Sequence, residues 1–233
     1  MITTLDVETT FHVGETKRAD PTPFHPNNRL VSVQYNTCQD KTPKFVWFYH
    51  EKVNPDLKKS HSQVQQILDE TTLLVGHNIK FDLVWLWESG FTYNGRVYDT
   101  MIGEYMLLKG QKYSLSLHDS CIRRKVSQKK TEIIQDYLSR GVGFDRMPTE
   151  IVEEYGLADI VSTRELYEEQ TKLFGNSMMN KHIKLMNGFL PILSQIERNG
   201  IKIDVGALQR VKEDYKKEKL ELERTMHEIM REV

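Results

Sequence analysis

Five side chains in three separated stretches carry the chemistry this sequence can do. The first stretch is Leu5-Asp6-Val7-Glu8-Thr9. Alternate residues of a strand share a face, so Ile2, Thr4, Asp6 and Glu8 point one way. Two carboxylates on one face of an otherwise core-like strand repel each other and lose hydration, and a bridging cation relieves both costs. The bland reading is an edge strand with solvated acids. The second stretch is Ile79 to Trp87, a helix with little polar surface around Asp82. A lone carboxylate there is costly unless paired or bound to metal, and a cap or a salt bridge to Lys80 would also serve. Asn78 stands one helical turn earlier, its amide able to orient a carboxylate or donate to a phosphate. In the third stretch Tyr155 and Asp159 lie four apart, on one helix face with Val152, Ser162 and Leu166. That face should be the buried one, where a tyrosine is more often core than catalytic.

Taken together, three separate elements each supply inward acids. Hard oxygen ligands select Mg²⁺ or Mn²⁺ over zinc or copper. Two such ions about 4 Å apart suit an in-line displacement at phosphorus, one generating hydroxide from bound water and the other stabilising the leaving oxygen. A tyrosine hydroxyl, protonated at neutral pH, can orient the attacking water.

The elements that must position these groups follow from pattern. Strands are predicted over Ile2 to Thr9, Leu30 to Tyr35, Phe45 to Tyr49, Leu73 to Val75 and Val97 to Tyr98. Helices are predicted over His61 to Glu70, Ile79 to Glu88 and Thr100 to Leu108, with a helix-rich stretch to Arg146 and a strong helix from Thr149 to Phe174. Pro21, Pro23 and Pro26 make 11–28 a loop without regular structure. Gly175-Asn176-Ser177 reads as a break, followed by a helix to Arg198 and a final helix after Asp204. This order argues for an α/β domain over 1–174 with a C-terminal helical extension over 175–233. In the last helix Leu208, Val211, Tyr215, Leu222, Met226, Ile229 and Val233 form a heptad-like seam, from which weak self-association through 208–233 is expected.

Composition narrows the class. The 233 residues are 39% hydrophobic and 28% charged, as in an ordinary soluble globular protein. No signal peptide is read at Met1, and the longest dense apolar run, Leu83 to Trp87, is too short for a membrane. Cys38 and Cys121 are the only cysteines, so neither a disulfide framework nor a thiolate zinc site is expected and a cytoplasmic setting fits. The net charge of −1 does not mark a nucleic-acid binder. It hides a segregation: Lys109 to Lys130 holds seven cations and one acid, and Asp145 to Glu169 holds eight acids and two arginines. Two solvated helix faces would look the same.

The three stretches resemble the exonuclease motifs of the DEDD superfamily in its tyrosine branch: Asp6 and Glu8 in Asp-x-Glu-Thr, Asn78 and Asp82 in Asn-x-x-x-Asp, Tyr155 and Asp159 in Tyr-x-x-x-Asp. Asp99-Thr100-Met101 with Tyr105 is similar to a family segment between the second and third motifs. Leu190 to Asp204 resembles the junction where family A DNA polymerases pass from exonuclease to thumb, and the early first motif resembles a phage layout.

The resemblance implies a ribonuclease H-like fold, a mixed β-sheet flanked by helices, and a proofreading 3′→5′ exonuclease. Asp6, Glu8, Asp82 and Asp159 would hold two divalent ions, Mg²⁺ or Mn²⁺, and Tyr155 would orient water. Asn78, Phe11, Thr9 and Thr10 would meet substrate, with Phe11 stacking or wedging against a terminal base or else serving as core. The implied partners are a single-stranded or frayed DNA 3′ end and a polymerase domain, in cis or as a separate chain. An exoribonuclease of the same branch and a non-catalytic strand-guiding domain are the alternatives.

Overall fold

The computed structural model describes residues 1–13, 19–127 and 132–231. Lys129 and Lys130 of the basic stretch, and Val233 of the seam, fall outside them. The order is β1 (Ile2–Thr9), β2 (His12–Val13), β3 (Ala19–Asp20), β4 (Leu30–Thr37), β5 (Lys44–Trp47), α1 (Leu57–Glu70), β6 (Leu73–Gly76), α2 (Ile79–Glu88), β7 (Arg96–Asp99), α3 (Thr100–Leu107), α4 (Leu117–Arg124), α5 (Glu132–Ser139), α6 (Thr149–Phe174), α7 (Met178–Asn199) and α8 (Val205–Arg231).

Five strands form one sheet in the order β5-β4-β1-β6-β7, so β1 is central. It pairs antiparallel with β4 and parallel with β6, giving a mixed sheet flanked by helices, the ribonuclease H-like α/β fold expected. Being central, β1 is covered on both sides and cannot be a solvated edge. Leu5 and Val7 enter a core shared with Val64 and Leu68 of α1 and Leu83 and Leu86 of α2. Asp6 and Glu8 take the opposite face, where their cross-strand neighbours are Gln34 and Ser32. This face is floored by polar side chains, with Gln34 Nε2 donating to Ser32 Oγ at 2.8 Å.

Helix α6 crosses that polar face, and Gly156 lets it approach. A Cβ at Gly156 would stand 2.5 Å from Gln34 Nε2 and 2.8 Å from its Cγ. Gln34 is fully buried and is tied by its bond to Ser32, so it resists displacement. The helix is further tied by a buried ion cluster. Glu104 of α3 accepts from Arg123 at 2.6 Å and from Arg124 at 2.9 Å, both on α4, and Gln170 of α6 donates to it at 3.4 Å. Part of the basic stretch is therefore committed to holding helices together. Burial acts to raise the Glu104 pKa, but hydrogen bonds and charge from Arg124 and Arg123 outweigh it and hold the carboxyl below its ordinary value.

Two expectations need correction. Helix α1 begins four residues before His61, because Asp56 caps it by accepting the Lys59 N–H at 3.1 Å. The 11–28 segment is not wholly irregular: His12 pairs with Asp20 and Val13 with Ala19 in a short ribbon. That ribbon lies before Pro21, so no proline has to donate to it. By packing, the chain divides into two compact units, Met1–Gln195 and Ile196–Val233. Ile183, Asn187, Leu190 and Ser194 of α7 are buried in the first unit. In the second unit the seam residues Leu208, Val211, Tyr215, Leu222, Met226 and Ile229 are exposed. Among the described residues no helix is long and apolar enough to cross a membrane.

The Gly156 contact yields a test of sign. Alanine in a helix interior gains about 1 kcal/mol over glycine, while overpacking a tight core costs about 1–3 kcal/mol. Gly156→Ala is expected to be destabilising in urea unfolding. A gain of the full helix propensity would show that α6 is not pressed against Gln34.

Candidate active site

The carboxylates meet where β1 outruns its parallel neighbour. The β1–β6 pairing ends at Thr4 opposite Val75, leaving the next backbone groups on that side without a strand. The Val7 N–H is satisfied instead by Asp82 Oδ1 at 3.0 Å. This bond draws Asp82, in the first turn of α2, to the edge of β1 beside Asp6. Asp82 is 2% exposed. Burial pushes its pKa well up, and the charge of Asp6 adds to this against the pull of the Val7 N–H.

From the other side α6 brings Asp159 and Tyr155. Oxygens of Asp6, Glu8 and Asp159 all lie within 4.8 Å of one another. Asp82 is not part of that tight group; it joins the site through Val7 and through the field of Asp6. Tyr155 hydrogen-bonds to Asp159. Burial raises its pKa far above the ordinary phenol, reinforced by Asp159, Glu8 and Asp6 in that order. The phenol thus keeps its proton at neutral pH. Phe144 packs against the Tyr155 ring with centroids 5.8 Å apart. Three convergent carboxylates with no nitrogen or sulfur donor among them fit a hard divalent cation.

The expected substrate-side residues are scattered around this centre. Asn78 caps α2 with φ 62°, its side chain exposed and making no capping bond. A register shift between Glu8 and Thr9 marks a bulge at the end of β1. Thr9 and Thr10 just beyond it are buried, and the Thr10 hydroxyl accepts the Arg29 N–H at 2.7 Å. Phe11 is half-buried and lines a cleft of about 300 Å³ with Arg29, Tyr49, Gly143 and Arg146. His77 is held by Thr100 Oγ1 and the Leu115 carbonyl, both at 2.9 Å.

A sequence model described as a 3′-5′ exonuclease, of the DNA polymerase A type, matches residues 15–173. The chain belongs to this 3′-5′ exonuclease family. Asp82, Tyr155 and Asp159 lie inside the matched segment, and Asp6 and Glu8 precede it. DNA polymerase I of Chloroflexus aurantiacus is 29% identical over 133 residues, covering 55% of this chain and 14% of that protein. DNA polymerase I of Borreliella burgdorferi is 25% identical over 139 residues, covering 59% and 15%. The chain thus spans about one-seventh of the length of these curated relatives. Among solved structures, Brucella melitensis NrnC bound to pGG superposes with a TM-score of 0.61 at 19% identity, covering 88% of both chains. NrnC with bound Mg²⁺ gives 0.57 at 18% identity, covering 88% and 89%. These likenesses are of fold.

Asp6, Glu8 and Asp159 stand out in the sequence, but the contacts that hold them do not. Gly156, a glycine inside a strong helix between Tyr155 and Asp159, was the available signal of a close approach. The Val7–Asp82 bond left no signal, because it joins positions 75 residues apart.

A carboxyl with a raised pKa binds its proton more tightly folded than unfolded. It therefore favours the fold in acid and costs stability as pH rises through its folded pKa. In the presence of chelator, Asp82→Asn is expected to melt above the parent at neutral pH. The difference should vanish as pH falls toward the ordinary value of 3.8. Thermal melts across pH check this; a lower melting temperature for the variant at neutral pH would show that the ionised carboxylate stabilises the metal-free fold.

Proposed function

We propose that the chain removes nucleotides one at a time from a DNA 3′ end, using two divalent ions, Mg²⁺ or Mn²⁺, as the proofreading part of a family A polymerase. The observation that carries this reading is the convergence of Asp6, Glu8 and Asp159, with Asp82 and Tyr155 at their edge, in a member of a 3′-5′ exonuclease family. Asp6, Glu8, Asp82 and Asp159 would hold the metal. When bound, the ions supply a hydroxide nucleophile and neutralise charge on the phosphate. Hydrolysis would join a water oxygen to phosphorus as the bond to the 3′ oxygen breaks, the proton lost by the water being balanced by one taken up at the 3′ oxygen, to give a nucleoside 5′-monophosphate and a strand with a new 3′ hydroxyl. Tyr155, held by Asp159 and kept protonated, orients the attacking oxygen. Asn78, Phe11, Thr9 and Thr10 would guide the terminal nucleotides. The segment 175–233 is read as the start of the thumb, on its resemblance over Leu190 to Asp204.

The direct test is a 5′-labelled single-stranded DNA and a matched RNA, each incubated with Mg²⁺ and with chelator. The DNA is expected to yield a ladder shrinking from its 3′ end only with Mg²⁺. A ladder from RNA alone would make the chain an exoribonuclease, and none from either would leave a strand-guiding domain. Asp6→Ala and Asp82→Ala should each lose about 10²–10³-fold or more, the scale of removing one electrostatic stabiliser. Tyr155→Phe should slow cleavage about 10²–10⁴-fold while Mg²⁺ binding by calorimetry stays unchanged; weakened binding would contradict an orienting role. A mismatched 3′ end, cheaper to unpair, should be cut faster than a matched one, and equal rates would count against proofreading.

A further inference from the structure

The end of β7 holds a buried carboxylate that the proposed reaction does not use. Asp99 is 1% exposed, and its bonds are to backbone amides. Its Oδ1 accepts the Met101 N–H at 2.8 Å, which caps its own helix α3. The same oxygen accepts the Asn78 N–H at 2.9 Å, across the chain. The amides of Ile79 and Ile102 also hydrogen-bond to this side chain. One carboxylate therefore closes the first turns of two helices. For α2 this matters more, because its own first residue provides no cap: Asn78 has a left-handed backbone and its side chain makes no capping bond. A negative group at both helix N-termini also opposes the positive ends of their dipoles.

Asp99 is itself held. Its N–H donates to Asn187 Oδ1 on α7 at 3.0 Å, and Asn187 is 3% exposed. The adjoining Thr100 donates to the Gly76 carbonyl at 3.1 Å and receives Gln170 Nε2 of α6 at 2.9 Å. This junction thus ties α2 to β6, α3, α6 and α7. Asp82 lies one turn inside α2, close enough for the two charges to be felt. Any slip of the first turn of α2 moves Asp82 relative to the Val7 N–H and Asp6. Asn187 lies beyond the 15–173 segment that the family model matches.

We infer that Asp99 is a positioning residue that sets Asp82 against Asp6 by capping α2 from outside, and that Asn187 fixes Asp99 from α7. This rests on the reading of Asp82 as a metal ligand. The test uses the full chain with Mg²⁺ alone in calorimetry, and Mg²⁺-dependent cleavage of a single-stranded oligonucleotide. Asp99→Asn is expected to weaken Mg²⁺ binding about 10–100-fold, the scale for groups that hold a metal ligand in place. The turnover number should fall while the oligonucleotide KM stays nearly constant. Asn187→Ala should shift Mg²⁺ affinity the same way by less. Val64→Ala, buried under the opposite face of the sheet, should lower the melting temperature without moving Mg²⁺ affinity. A folded Asp99→Asn that binds Mg²⁺ like the parent overturns the inference, as does a Val64→Ala that weakens binding equally. If Asp99→Asn does not fold, Asn187→Ala decides, and unchanged affinity overturns the inference. A parent that binds no Mg²⁺, or an Asp82→Ala that binds it normally, overturns the ligand reading and this inference together. Failure of Asp99→Asn and Asn187→Ala, with Asp82→Ala defective, overturns only this one.

Discussion

The mutual repulsion of acids crowded at the end of one central strand is the constraint that the rest of this fold answers. Asp6 and Glu8 share a face of β1, Asp159 comes within 4.8 Å of both, and Asp82 is buried one strand-edge away. Left to itself such a group would splay apart or take up protons. Backbone acts against this: the end of the β6 pairing exposes the Val7 N–H, and that donor fixes Asp82, the most deeply buried acid of this group, at a definite point on the strand.

Holding the second wall in place is a packing problem. Helix α6 must lie close to β1 and β4 for Asp159 to reach Asp6, and the close approach is made through Gly156 against the buried side chain of Gln34. The opposing force is supplied farther along the same helix, where Gln170 joins the Glu104 cluster with Arg123 and Arg124. A buried ion pair is weak evidence for net stability, because desolvation offsets most of its attraction. Its usefulness here is orientation: two guanidinium groups and an amide converging on one carboxylate allow few alternative placements of α3, α4 and α6.

Much of this frame was legible in the sequence. The bounds of β1, α2 and α6 follow from local pattern, because a run rich in β-branched residues, an all-round apolar helix and a proline start are each written within one segment. The three acid-bearing stretches could likewise be picked out, since a carboxylate amid apolar residues is an anomaly at any distance. The start of α1 was missed because the cap at Asp56 outweighs the weaker periodicity before His61. The ribbon of His12–Val13 and Ala19–Asp20 was hidden by prolines that in fact follow it. What sequence could not supply is pairing across the chain. The Val7–Asp82 and Asn78–Asp99 bonds each join a backbone amide, which has no residue-type signature, to an acid far away.

The two titrating clusters also pull stability in opposite directions, which bears on what the site is for. The lowered pKa of Glu104 makes its cluster stabilising above the ordinary carboxylate value and weaker in acid. The raised pKa of Asp82 makes the carboxylate site a liability over the same neutral range. A ligand that binds only the folded state returns stability in proportion to the logarithm of its concentration, about 2.7 kcal/mol at a hundred times its Kd. The Glu104 cluster thus gains from ionisation near neutral pH, while the carboxylate site is the place where a bound cation, as proposed above, would return stability to the folded chain.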